Sequence, residues 1–161
     1  MTEEVKQKIA RALEMVPSGC FILTAGQGEE ASGILASWVQ QAGFDPPAVT
    51  VAVKHGRDIG RVIEKSGHFV INTLGEEQVN SPLFKRFVKG SEMGKTAFEG
   101  LQIEQWPNGV VIKDCLTHLG CELTGKMNAG DHTVFVGAVV AGDVHREGEP
   151  AVRLRSSGMN Y

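Results

Sequence analysis

From residue 20 to residue 154 the chain returns again and again to short apolar runs rich in β-branched and aromatic residues, and turn residues end most of them. Cys20-Phe21-Ile22-Leu23-Thr24 stops at the polar turn 26–30. Residues 32–41 alternate, with Ile34, Ala36, Trp38 and Gln40 on one face and Leu35, Ser37, Val39 and Gln41 on the other. Asp45-Pro46-Pro47 interrupts that ladder, because neither proline has a backbone N–H to give. Strands are predicted again over residues 48–53, 68–74, 116–124, 133–140 and 150–154, while the glycine-punctuated stretch 90–113 reads as irregular. With 20 glycines against 6 prolines, tight turns between strands are expected, not a helical bundle.

Helical signals are few. Val5, Ile9, Ala12, Leu13 and Val16 share one helical face from about residue 2 to residue 16, with Thr2 as cap and Pro17-Ser18-Gly19 as stop. Ile59, Val62 and Ile63 mark a short helix that ends at Ser66-Gly67. Pro82 opens another, carrying Leu83, Phe84, Phe87 and Val88. Two short helices cannot cover both faces of such a sheet. An antiparallel barrel, closed or half closed, lets the sheet pack on itself. At 161 residues the chain suits one domain, with the first helix at about 2–16 and the barrel at about 20–155.

Several functions are disfavoured. A formal net charge of −3 lacks the basic field of a nucleic-acid binder. No apolar run reaches bilayer length, and Met1-Thr2-Glu3-Glu4-Val5-Lys6 has no secretory character, so a cytoplasmic location is expected. Cys20, Cys115 and Cys121 are too scattered for a disulfide or zinc framework, and Cys121 reads as a small buried hydrophobe. The five histidines show no paired helical spacing, so no metal site is expected. Gly90-Ser91-Glu92-Met93-Gly94-Lys95-Thr96 has three residues between its glycines where a P-loop needs four. No Gly-x-Gly-x-x-Gly follows a strand, and no serine occupies a nucleophile elbow.

One stretch has chemical promise. Ser37, Gln40 and Gln41 offer side-chain hydrogen bonds, while Ala42 and Gly43 let a ligand approach the backbone. Lys54 and Arg57 follow the next strand, where they read either as a phosphate anchor or as two solvated cations. Trp38 reads as core or interface, with stacking on a flat ligand as the other use. His132, after the Gly130-Asp131 turn, is either a structural partner of Asp131 or a donor to a ligand. Lys85, Arg86 and Lys89 read as a solvated helix face.

These residues stand in a recognisable order. Ala36-Ser37-Trp38-Val39-Gln40-Gln41-Ala42-Gly43-Phe44-Asp45-Pro46-Pro47 is followed by Val51-x-Val53-Lys54-x-x-Arg57 and Gly67-x-Phe69-Val70-x-Asn72-x-Leu74. Cys121, Gly130-Asp131-His132, Val136-Gly137-x-Val139 and a closing Arg155-x-x-Gly158-x-x-Tyr161 complete the set. The chain resembles the flavin-reductase-like FMN-binding split barrels, most of all the flavin-reductase domain at the C-terminus of cyanobacterial flavodiiron proteins. The resemblance implies a mainly β fold with short helices: a six-stranded antiparallel Greek-key split barrel that forms a homodimer. It implies FMN, in preference to FAD, as cofactor and NADH or NADPH as hydride donor, with a redox partner protein or flavodiiron-type domains as acceptor. Ser37, Trp38, Val39, Gln40, Gln41 and Ala42 would line the flavin. Lys54 and Arg57 would serve its phosphate, Asn72 would meet it, and Asp131 and His132 would position the nicotinamide.

The chain departs from that pattern where the family usually has hydroxyl residues, at Gln40, Gln41 and Gly43, and at Gly120, where an acid is common. Two other functions remain open: an FMN electron carrier reduced by a partner protein, and a non-catalytic flavin-binding or assembly module.

Overall fold

The computed structural model describes residues 1–88, 94–156 and 158–159; Lys89, the stretch 90–93 and Tyr161 therefore lie outside the described residues. Seven strands form one antiparallel sheet in the order β3-β2-β6-β9-β10-β5-β4. In chain order these are β2 (Phe21–Ala25), β3 (Ser32–Ala36), β4 (Val39–Phe44), β5 (Pro47–Lys54), β6 (His68–Thr73), β9 (Thr117–Ala129) and β10 (His132–Val144). Two small ladders accompany it: β1 (Ser18–Gly19) with β11 (Val152–Arg153), and β7 (Ile103–Trp106) with β8 (Gly109–Ile112). The helices are α1 (Glu3–Leu13), α2 (Asp58–Ser66) and α3 (Pro82–Val88).

The expected single strand over residues 32–41 is two strands. β3 bonds to β2 at one sheet edge and β4 bonds to β5 at the other. Only Ser37 and Trp38 separate them, so both edges of the sheet are drawn together and the sheet curls. Alternation continues across the break, and periodicity alone could not reveal it. Asp45-Pro46 is the turn of the β4–β5 hairpin, and Phe44 and Pro47 face each other across it.

The curled sheet encloses one core built on Leu23, Val51, Phe69, Ile71 and Phe135, closed at one end by Ile59, Val62 and Ile63 of α2. A second core lies on the opposite side of β2, where Cys20, Ile22 and Leu74 meet Phe84, Phe87, Val110 and Ile112. This explains why 20–24 reads as a continuous apolar run: both faces of β2 are covered.

The hairpin β7–β8 contradicts the irregular segment expected over 90–113. Its second strand is wholly buried, and two polar side chains hold it. The Thr24 hydroxyl donates to the Val110 carbonyl at 2.6 Å and accepts from the Val110 N–H at 3.1 Å. Asn72 accepts from the Ile112 N–H at 2.8 Å and donates to the carbonyls of Ile22 and Val110, both at 3.2 Å.

The late strands run longer than expected, with β9 and β10 extending to a two-residue turn at Gly130-Asp131. Gly130 has a φ of 71°, which a side chain would resist. Gly120, the departure from the family pattern, lies under an indole. A Cβ there would come within 2.6 Å of the Trp106 ring, so an acid has no room without displacing Trp106. Helix α1 is shorter than the expected 2–16. Thr2 caps it by accepting from the Val5 N–H, and none of its residues is buried.

Candidate functional site

The Ser37–Trp38 joint, the end of β5 and the C-terminal segment enclose an open cleft of about 540 Å³. This lies inside the ~300–1,000 Å³ range typical of small-ligand pockets. Ile34, Leu35 and Ala36 form an apolar wall. Lys54 ends β5 and Arg57 stands just ahead of α2, so the strand-to-helix turn delivers both cations to one rim. Lys54 and Arg57 also border an adjoining cavity of about 380 Å³, shared with Arg61, Asp58 and Glu64.

Trp38 is 41% exposed, and its ring meets that of His132 at 4.9 Å between centroids with a tilt of 47°. His132 pairs with Lys54 across the β5–β10 ladder, which places the hairpin turn beside the strand end. The His55 N–H also donates to the Asp131 carbonyl at 2.9 Å. The Asp131 carboxylate lies 2.7 Å from Nδ1 of His132, and that hydrogen bond lowers its pKa below the usual value. His132 itself is buried, so the pair is a fixed feature behind Trp38.

The fold thus brings Ser37, Trp38, Lys54 and Arg57 to one cleft and sets Asp131 and His132 against Trp38. It does not bring Val39, Gln40, Gln41, Ala42 or Asn72 into the cleft lining. Val39 packs on the barrel core, while Gln40, Gln41 and Ala42 lie exposed on the edge strand β4. Asn72 is fully buried, and its amide holds β8. Sequence reasoning missed Arg153, and it noted Arg155 only as part of the closing pattern. Their alternate placement after an apolar strand was the available signal. Phe84 and Phe87, read only as one helix face, line the cleft from α3. Cys121 is fully buried, which pushes its thiol up to about 12 and keeps it protonated.

An antiparallel barrel split at an edge, with such a cleft beside the split, is the architecture of flavin reductases. Flavin reductase PheA2 superposes with a TM-score of 0.77 over 96% of this chain and 94% of its own, at 23% identity. The nitrilotriacetate monooxygenase component B homolog of Mycobacterium thermoresistibile gives 0.80 over 95% and 85%, at 24% identity. The chain belongs to the flavin reductase like domain family, whose profile matches residues 13–158. Among relatives, diflavin flavoprotein A 1 of Synechocystis sp. is 36% identical over 155 residues, which are 95% of this chain and 27% of that protein. The chain spans about a quarter of the length of the curated relatives it matches. Among the described residues, no helix is long and apolar enough to cross a membrane.

Proposed function

We propose that the chain binds FMN in the cleft at the Ser37–Trp38 joint and passes a hydride from NADH or NADPH to it, then electrons to an acceptor. The observation that carries this reading is the convergence of an apolar wall, an exposed indole and the Lys54–Arg57 pair on one open cleft. The fit is chemical: a flat apolar slot suits the ring, and two cations at a strand end suit the phosphate. FMN, when bound, supplies the hydride chemistry itself. The chain's own residues bind and orient. Ser37 offers a hydroxyl at the cleft, and Trp38 offers a face. The Asp131–His132 pair backs that face and lies where a nicotinamide would arrive. Val39, Gln40, Gln41 and Ala42, on the strand leading away from the joint, reach a ligand only through its outer part or from a second copy.

A homodimer fits this reading. Ala52, Val134, Val136 and Ala138 point away from the core formed by their neighbours Val51, Val53 and Phe135, and they make an outer face beside Trp38. A cytoplasmic location is part of the same proposal. The test is anaerobic addition of NADH or NADPH to the chain with FMN. Bleaching of the flavin absorbance is expected, and no bleaching with either refutes the reductase reading.

A second reading has its own support. The chain covers about a quarter of its diflavin relatives, so the electrons of such a protein also concern its other parts. Bound FMN that ignores both nicotinamides but accepts electrons from a separate reductase would select an electron-carrier domain.

A further inference from the structure

Trp38 borders the cleft with two neighbours of different standing. His132, 4.9 Å away between ring centroids, is buried and fixed by the β5–β10 ladder. Arg155 holds its guanidinium 5.3 Å from the indole centroid, yet it belongs to a segment with few anchors. Ala151 is the last firm point before it: this residue is buried, and its N–H donates to the Leu74 carbonyl at 3.0 Å. From there β11 pairs only two residues with β1, and Val152 and Leu154 are exposed. Arg153 reaches the Phe84 ring, 5.4 Å from its centroid, and hydrogen-bonds the Cys20 thiol.

The segment is tied again at Gly158, which lies against helix α1. A Cβ there would collide with the Ala10 carbonyl oxygen and come within 2.6 Å of Cβ of Leu13, so only glycine seats this closely. Helix α1 is a light fastening. It has 11 residues, none of them buried, and a helix that short is marginal without packing. Segments with so few buried apolar contacts are the ones that open locally. A flat aromatic ligand stacks on the face of an indole, and a guanidinium over that ring competes for the same place. Because Arg155 also lines the cleft, its displacement frees the indole face without removing positive charge. We infer that residues 152–156 form a strap over the cleft, clasped by α1 through Gly158, with Arg155 as an autoinhibitory lid on Trp38 that a flat aromatic ring must displace. The ring is that of the flavin reading, on which this rests.

The test uses the full chain and riboflavin, which has the flat ring and no phosphate. Flavin fluorescence gives its affinity, and acrylamide quenching of tryptophan emission gives access to Trp38 with no ligand present. R155A should raise riboflavin affinity about threefold or more, the fold-change of a modest cation–π contact, and should steepen acrylamide quenching. A W38F background should abolish the change in quenching, which assigns it to Trp38 and not to Trp106. G158A, which keeps Arg155 and strains its clasp, should move both readouts in the same direction. A fall in riboflavin affinity in R155A overturns the inference, because Arg155 then holds the ring instead of blocking it. Affinity and quenching left at wild-type values in R155A overturn it as well. If R155A moves both readouts and G158A neither, the clasp at α1 is refuted. Steeper quenching in R155A from a chain that binds neither riboflavin nor FMN refutes the flavin reading alone.

Discussion

Asn72→Ala separates a ligand contact from a structural clamp. The side chain is fully buried, and three hydrogen bonds join its amide to β2 and β8. Alanine removes the acceptor of the Ile112 N–H, and a buried donor left in that state costs about 1–3 kcal/mol. Two neutral bonds to the carbonyls of Ile22 and Val110 go as well, at about 0.5–1.5 kcal/mol each. Val110 keeps the Thr24 hydroxyl as a donor, so its carbonyl is not orphaned. The total is about 2–6 kcal/mol, a large share of the ~5–15 kcal/mol that holds a typical domain. With a urea slope of about 2 kcal/mol per molar, the unfolding midpoint should fall by about 2 M. Urea titration followed by circular dichroism measures that fall, and flavin fluorescence measures FMN affinity in the fraction that remains folded. A midpoint left in place together with a tenfold loss of FMN affinity would refute the clamp and restore Asn72 as a flavin contact.

Replacing Lys54 and Arg57 together with alanine should weaken FMN by about tenfold or more for each charge-assisted bond lost, read by fluorescence quenching; unchanged affinity would move the phosphate elsewhere. The rings of His118 and His145 are nearly parallel, and Nδ1 of one lies 3.0 Å from Nε2 of the other, so one ring donates and the other accepts. Burial, then His145 and Lys113, lowers the His118 pKa below 6.5, so the fold favours its neutral form. Its contribution to stability is therefore complete above the unfolded value of about 6.5 and is lost as pH falls from there through the folded value. Urea midpoints between pH 5 and 8 should show this, and His118→Gln should flatten the profile. Gly120→Ala should destabilise by about 1–3 kcal/mol through the Trp106 clash, and adding Trp106→Ala should relieve that specific penalty in a double-mutant cycle.

The readable parts of the fold were those with a local signature. Ile59, Val62 and Ile63 bury one face of α2 as their spacing implied, and Gly67 caps it with a φ of 71°. Strands β2, β5, β6, β9 and β10 follow their apolar runs. Two features escaped because long-range contacts set them. The hairpin β7–β8 stands where glycines suggest a loop, yet Thr24 and Asn72 reach it from 86 and 40 residues away in sequence. The break at Ser37–Trp38 is invisible to alternation, since each half of that run bonds to a different neighbour. Helix α1 has the apolar spacing of a buried face, yet Val5, Ile9 and Leu13 remain 44%, 39% and 44% exposed.

The same division separates the site residues. Asp131–His132 and Lys54 were noticed separately, and it is the β5–β10 register that makes them neighbours. Gln40, Gln41 and Ala42 were noticed together with Ser37 and Trp38 because they are contiguous, and the break divides that group. Up to Trp38 the chain borders the cleft; from Val39 it is the opposite edge strand, with its next two residues exposed. The hydroxyl residues missing at Gln40, Gln41 and Gly43 therefore lie outside the described cleft lining, and positive charge concentrates elsewhere. Arginines at 153 and 155 face the joint from the far end of the sequence. On the FMN reading, a cleft short of hydroxyls beyond the break but lined by four cations would recognise phosphate by charge and planar donors more than by serine or threonine. Its affinity for phosphorylated ligands should accordingly fall more steeply with salt than that of a hydroxyl-built site.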